Sequence, residues 1–238
     1  MKIAVLETGQ VPDNLTDKHG SYFGMFRGML NAADPNLDIH SVKVIDGIFP
    51  DSPGDYQGYV ITGSAYGVYD NESWIPELFS FIQATAEQNI PQAGICFGHQ
   101  AMSEALGGKV VKSDKGWGCG VHTYEVIEKQ GWMDPALPRT AITVMHQDQV
   151  VEPPEGAVVL AGSHFCPNGA LSYAQGPAIS VQYHPEFQAS YAHDLIEMRR
   201  GDRIPESIAD IGISSLSTAS HHSEVGQWIT RFLQMHQN

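Results

Sequence analysis

Gln92-Ala93-Gly94-Ile95-Cys96-Phe97-Gly98-His99-Gln100 is the stretch that decides how this chain is read. A short apolar run meets a cysteine with a glycine two places away on each side, and apolar residues at helical spacing follow as far as Leu106. A strand that ends, one residue in a strained backbone conformation and a helix that starts at once need flanking positions almost free of side chain. Gly94 and Gly98 meet that need. Such an elbow presents the Cys96 sulfur at the C-terminal end of its strand and aims the N-terminus of the next helix at it, where negative charge is favoured. The competing reading is a small buried hydrophobe in a glycine-rich turn, which is the role expected of Cys119 and Cys166.

Working outward, strand-length apolar runs recur at Ile3–Leu6, Ile39–Ile45, Tyr59–Thr62, Gln92–Ile95, Ala141–Met145, Val158–Ala161 and Ala178–Tyr183. Several are continuous, as in strands buried on both faces of a parallel sheet. Helical patterns over Tyr22–Ala33, Ser73–Gln88 and Gly98–Leu106 separate the early ones. The alternation predicts an α/β fold, a doubly wound and mostly parallel sheet with helices on both faces. Ser73 is expected to cap its helix, and Gly107-Gly108 to stop the one after Cys96. From Lys109 to about Leu171 the chain is richer in β-branched residues and turns, and Asn168-Gly169 is a hairpin signal, so an antiparallel extension is expected there. Two amphipathic helices are expected near Tyr191–Arg200 and Glu224–His236, with a loop between them. Neither a repeat nor a linker interrupts the chain, so residues 1–238 are read as one domain.

Composition narrows the function. With 27 Asp and Glu against 13 Lys and Arg, the net charge of −14 repels phosphate backbones and anionic membranes, which argues against a nucleic-acid or membrane partner. No apolar stretch reaches membrane-spanning length, and the opening run is cut off by Glu7, too short for a signal-peptide core. Three widely spaced cysteines form neither a disulfide framework nor a CxxC pair, so a reducing cytoplasm is the expected compartment. The eleven histidines include no His-Glu-x-x-His pattern, and no metal or other cofactor is expected.

A cysteine nucleophile acting on an amide needs a base that also protonates the leaving nitrogen, and a group that orients the base. His184-Pro185-Glu186 follows the last predicted strand, and its proline ends that strand so that His184 and Glu186 can leave together at the edge where the elbow opens. Taken alone, the histidine would be satisfied by a backbone carbonyl and the glutamate solvated.

Together, the Gly-x-Cys-x-Gly-x-Gln elbow and the distant His-Pro-Glu closely resemble the class I, or triad, glutamine amidotransferases, from the first strand to at least Phe187. The resemblance implies a flavodoxin-like fold, with Cys96 as nucleophile, His184 as general acid and base, and Glu186 as its orienting partner. It implies an oxyanion hole at the Phe97 N–H and the Gly63-Ser64 turn, and places Gln100 against the glutamyl substrate. The expected reaction is cleavage of the γ-amide of glutamine or a γ-glutamyl compound through a γ-glutamyl thioester. Gly116 and Trp117 match positions near the substrate's α-amino and α-carboxylate groups, or pack over a turn. His146-Gln147-Asp148 resembles a His-Gly-Asp turn beside the pocket, with Gln147 replacing the glycine; a structural turn is the other reading. Backbone donors or Arg27 are candidates to accept the substrate carboxylate.

Where ammonia-delivering members such as the GMP-synthase glutaminase domain usually carry Gly-Gly-Pro, this chain has Thr62-Gly63-Ser64, which is more similar to the stand-alone γ-glutamyl peptidase branch. Neither a Gly-x-x-x-x-Gly-Lys loop nor a Ser-Gly-Gly motif supplies an acceptor domain. Three readings stand: a free-standing hydrolase, a glutaminase subunit delivering ammonia to a separate synthase, and a non-catalytic binding homologue.

Overall fold

The computed structural model describes residues 1–237. The elements in chain order are β1 (Lys2–Leu6), α1 (Asp13–His19), α2 (Tyr22–Ala33), β2 (Asp38–Val42), β3 (Gly58–Ile61), α3 (Trp74–Glu87), β4 (Gln92–Ile95), α4 (Phe97–Ala105), β5 (Lys109–Lys112), β6 (Gly118–Val126), β7 (Arg139–His146), β8 (Asp148–Glu152), β9 (Val158–Gly162), β10 (Ala170–Ser172), β11 (Ala178–Val181), α5 (Ala189–Arg199), α6 (Glu206–Ser215) and α7 (His222–Met235). Among the described residues, nine strands form one sheet in the order β2-β1-β3-β4-β11-β10-β9-β6-β7. The joints from β2 to β11 are parallel, and those from β11 to β7 antiparallel.

Side chains that alternate along each strand explain why helices cover both faces. Ile3 and Val5 of β1 point into a core with Phe26 and Leu30 of α2 and Val225 and Ile229 of α7. Ala4 and Leu6 of the same strand join Ile75 and Leu78 of α3 and Ala101 and Met102 of α4 on the other side. A third cluster, around Leu15, Phe187, Tyr191, Leu195 and Ala209, ties α1, α5 and α6 to the strand ends near the elbow. The fold is the expected doubly wound, mostly parallel sheet with an antiparallel extension.

Several local expectations are corrected. The stretch read as a loop before the last helix contains α6, and α1 was not anticipated. Both have few fully buried residues: Leu15 alone in α1, Ala209 and Gly212 in α6. Helix α6 is held by close backbone approach, since a Cβ on Gly212 would lie 2.6 Å from the Cys119 sulfur and one on Gly120 only 2.3 Å from the Gly212 carbonyl oxygen. The small residues that allow this approach read as loop, although Ile208, Ile213 and Leu216 also pack on the third cluster. Ser73 makes no side-chain cap bond to α3. The extension also divides: β6, β7, β9 and β10 join the main sheet, while β5 and β8 pair as a separate ribbon. Asn168-Gly169 does lie between the antiparallel β9 and β10, at the end of a connection covering 163–169.

Candidate active site

Strand β4 lies in the parallel half of the sheet between β3 and β11, and delivers Cys96 to its C-terminal edge. Cys96 has φ 53° and ψ −101°, a conformation that costs about 1–3 kcal/mol in a residue with a side chain. It is pinned by its N–H to Val181 (2.8 Å) and by its carbonyl, which accepts from Gln100 N–H (3.1 Å). The two glycines are sterically required. A Cβ at Gly94 would sit 2.4 Å from the Gly98 carbonyl oxygen, and one at Gly98 would sit 2.5 Å from that of Ile61.

The register of β11 against β4, with Val181 opposite Ile95, brings the segment after β11 beside the elbow. His184 N–H donates to the Thr143 carbonyl of β7 (2.8 Å), Nδ1 lies 2.7 Å from Glu186 Oε1, and the ring stacks on Phe187 at 3.9 Å and 7°. Gly63 also lies against the imidazole, where a Cβ would be 3.0 Å from His184 Cε1 and 3.6 Å from Cys96 Cβ. Cys96, His184 and Glu186 are each at least 96 % buried. Burial alone lowers the imidazole pKa, but the Cys96 and Glu186 side chains outweigh it, and the net shift is upward. Since Nδ1 is taken by Glu186, the ring nitrogen available to the sulfur is Nε2, which has no aligned hydrogen bond among the described residues. The imidazole thus holds the Glu186 carboxylate on Nδ1, and Gly63 lies against both the ring and the Cys96 side chain.

The surroundings hold this group rigid. His99 of α4 bonds through Nδ1 to Ser180 Oγ of β11 (2.7 Å), and the chain continues through the Tyr173 hydroxyl (2.6 Å) to Ser103 Oγ (2.9 Å). Burial pushes His99 down to about 3, so the ring is neutral in this chain of bonds. The Thr62-Gly63-Ser64 turn after β3 is anchored by Thr8, whose N–H reaches Thr62 Oγ1 and whose hydroxyl donates to the Thr62 carbonyl, both at 3.0 Å. Phe97 is the first residue of α4, so its N–H has no intrahelical acceptor.

A cavity of about 560 Å³ opens over Cys96, with Ser64, Tyr69, Gln100, Trp117, His146, Asp148 and Arg199 among its lining residues. Gln100 Nε2 donates to the Asp148 carbonyl (3.1 Å) and to Gln182 Oε1 (3.2 Å), and the Tyr69 hydroxyl donates to Asp148 Oδ2 (2.8 Å). Burial raises the Asp148 carboxyl, against the lowering effect of the Tyr69 bond. Burial pushes His146 down to about 3; its Nδ1–H donates to the Asp148 carbonyl (3.0 Å), which leaves Nε2 an unpartnered acceptor. Gly116 turns the chain at φ +74° and does not line the cavity, whereas its neighbour Trp117 does. Arg27 is exposed on α2, over the Phe23 ring, and does not reach the cavity. The cations that do are Lys112, Arg199 and Arg203. Sequence reasoning missed them and Tyr69; the Arg199-Arg200-Gly201-Asp202-Arg203 run was a signal, but nothing in it tells which side chain faces the site. Among the described residues no group of three or more His, Cys, Asp or Glu side chains could hold a metal ion, and no helix is long and apolar enough to cross a membrane.

Comparison with known proteins follows the same lines. Residues 20–199 match the family model of class I glutamine amidotransferases. γ-Glutamyl peptidase 5 of Arabidopsis thaliana is 32 % identical over 186 residues, covering 75 % of this chain and 73 % of that protein. The glutamine-hydrolysing GMP synthase of Bacillus licheniformis is 38 % identical over 145 residues, which are 59 % of this chain and 26 % of that longer protein. Among solved structures, a glutamine amidotransferase of Thermotoga maritima has the same fold, with a TM-score of 0.75 at 20 % identity, covering 98 % of this chain and 96 % of that one.

Proposed function

The chain belongs to the class I glutamine amidotransferase family, and from that premise we propose that it is a cysteine hydrolase cleaving the γ-amide of glutamine or of γ-glutamyl compounds. The observation that carries the reading is the buried convergence of Cys96, His184 and Glu186 around Gly63. The Cys96 thiolate attacks the γ-carbonyl, and the carbonyl oxygen takes the negative charge at the N–H groups of Phe97 and Ser64, the second beside Gly63. His184, held by Glu186, gives its Nε2 proton to the departing nitrogen as the C–N bond breaks, leaving a γ-glutamyl thioester. It then takes a proton from water, whose oxygen attacks the thioester; glutamate leaves and the thiolate returns. Gln100, Trp117, His146 and Asp148 line the cavity in which the substrate binds in this reading.

Likeness to a γ-glutamyl peptidase and the Thr62-Gly63-Ser64 turn support free-standing hydrolysis. Likeness to GMP synthase supports a second reading, delivery of ammonia from glutamine to a separate synthase subunit. The proposal takes residues 1–238 as one domain, and a cytoplasmic location that suits three free thiols.

The test is glutamate release from glutamine, a γ-glutamyl dipeptide and a γ-glutamyl amine. Cleavage that disappears in Cys96→Ala while the melting temperature holds is the expected result; full activity in that variant overturns the reading. Activity on glutamine alone that rises strongly on addition of a synthase favours ammonia delivery.

A further inference from the structure

The cavity over Cys96 holds cations that the bond-breaking steps do not use. Arg199 ends α5, Arg203 lies in the turn after it, and both line the cavity. Between them Arg200 is fully engaged, by Glu197 through two nitrogens at 2.9 Å and by Asp210. Among the described residues, neither Arg199 nor Arg203 has such an ion pair. Two of the cavity's carboxylates already have donors, Asp148 from the Tyr69 hydroxyl and Asp70 from the Gly67 N–H; the third, Asp202, is exposed in the turn. Arg199 is half-buried, stacked 5.8 Å from the Trp117 ring centroid, and burial lowers its pKa. A guanidinium withdrawn from water without a counter-ion is unfavourable, and a carboxylate answers it with paired hydrogen bonds.

Helix α5, which carries Arg199, also backs the imidazole that meets the leaving group. The departing nitrogen must lie at His184, because His184 protonates it. The imidazole rests on Phe187, and Phe187 packs on Tyr191 at 4.7 Å, two turns before Arg199 on the same helix. Arg199 is also within electrostatic reach of Cys96. Gln100, Asp148 and Tyr69 form a hydrogen-bonded wall of the cavity among themselves. A volume of about 560 Å³ is in the range that encloses drug-sized ligands, and so has room beyond a glutamyl chain.

We propose that Arg199, assisted by Arg203, binds a carboxylate on the leaving group and so makes γ-glutamyl amino acids and peptides with a free C-terminal carboxylate preferred over glutamine. The inference rests on the hydrolase reading above. The glutamyl α-carboxylate is the other carboxylate such a substrate carries, and the test separates the two.

γ-Glutamylglycine and γ-glutamylglycinamide differ only in the leaving group's carboxylate. Their kcat/KM ratio is expected to be about ten or more in the unmodified protein, the worth of a charge-assisted hydrogen bond, and to fall to within about two-fold of one in Arg199→Met. Arg199→Lys should keep part of the preference, and Arg203→Met, at an exposed position, should reduce it without loss of fold. A ratio near one in the unmodified protein overturns the proposal. So does an equal loss on both substrates in Arg199→Met, which would give Arg199 the glutamyl α-carboxylate, and so does a ratio that Arg199→Met leaves untouched. Calorimetric binding of the same pair to Cys96→Ala protein, with and without Arg199→Met, reads the subsite independently of turnover. If the unmodified protein cleaves neither compound while the binding preference still needs Arg199, the hydrolase reading falls and the carboxylate subsite stands.

Discussion

Gly63→Ala adds one methyl group at the point where the site is tightest. The new Cβ would meet His184 Cε1 at 3.0 Å, Cys96 Cβ at 3.6 Å and His184 Nδ1 at 3.7 Å, so the first contact must open by a few tenths of an ångström. The ring cannot yield freely, with Phe187 stacked on it at 3.9 Å and Glu186 bonded to its edge at 2.7 Å. Either the imidazole shifts against the sulfur or the turn carrying the Ser64 N–H shifts. If a 1 Å misplacement costs about 100-fold, a displacement of this size costs about five- to ten-fold in kcat. One extra methyl at a tight contact destabilises by about 1 kcal/mol, or about 2–4 °C for a chain of this length. Glutamate-release kinetics and thermal melting on the same preparations separate the effects. An unchanged kcat together with an unchanged melting temperature would refute the close packing of the imidazole on Gly63, and with it the argument that this glycine is there for the histidine.

Gly212→Val drives side-chain atoms into the Cys119 sulfur, 2.6 Å from the nearest possible Cβ, and should destabilise by about 2–3 kcal/mol, seen as a fall of about 5–10 °C in melting temperature; an unaltered melt would mean that α6 does not dock on β6. Tyr69→Phe deletes the bond to Asp148 at the cavity mouth, and should raise KM several-fold with kcat and melting temperature nearly constant; a lost kcat would mean that Tyr69 acts in the chemistry. His99 and His146 are buried neutral with pKa values near 3, so the unfolded chain binds more protons than the folded one below about pH 6.5, and stability falls as pH drops from there. Between pH 6.5 and 5 each contributes about 2 kcal/mol of that loss, measurable as a falling urea midpoint. His184 runs the other way, its contribution complete below pH 6.5 and lost as pH rises through its raised folded value. A urea midpoint independent of pH from 7 to 5 would contradict the burial of the two neutral rings.

Local signals carried much of this molecule. The central parallel strands were visible because burial on both faces leaves unbroken apolar runs, and the elbow because its two glycines answer to backbone contacts of 2.4 and 2.5 Å. Helix α6 was missed because its serines and glycine read as loop residues and Gly212 docks by close backbone approach, although Ile208, Ala209, Ile213 and Leu216 lie at helical spacing on the third cluster. Arg27 was a reasonable candidate for a substrate carboxylate by charge alone, yet α2 turns it to solvent while the end of α5 turns Arg199 into the cavity.

By itself, then, the amino-acid order determined the α/β class and the elbow at Cys96, because each depends on neighbours within a few residues or on a regular period, whereas His184-Pro185-Glu186 read locally left the two side chains apart and only the resemblance paired them. Only the tertiary structure decided that β11 runs beside β4 and carries the imidazole to the sulfur, and which three of the chain's thirteen lysines and arginines face the cavity. Strand order and helix rotation come from packing between segments far apart in the chain, where no local pattern records the partner.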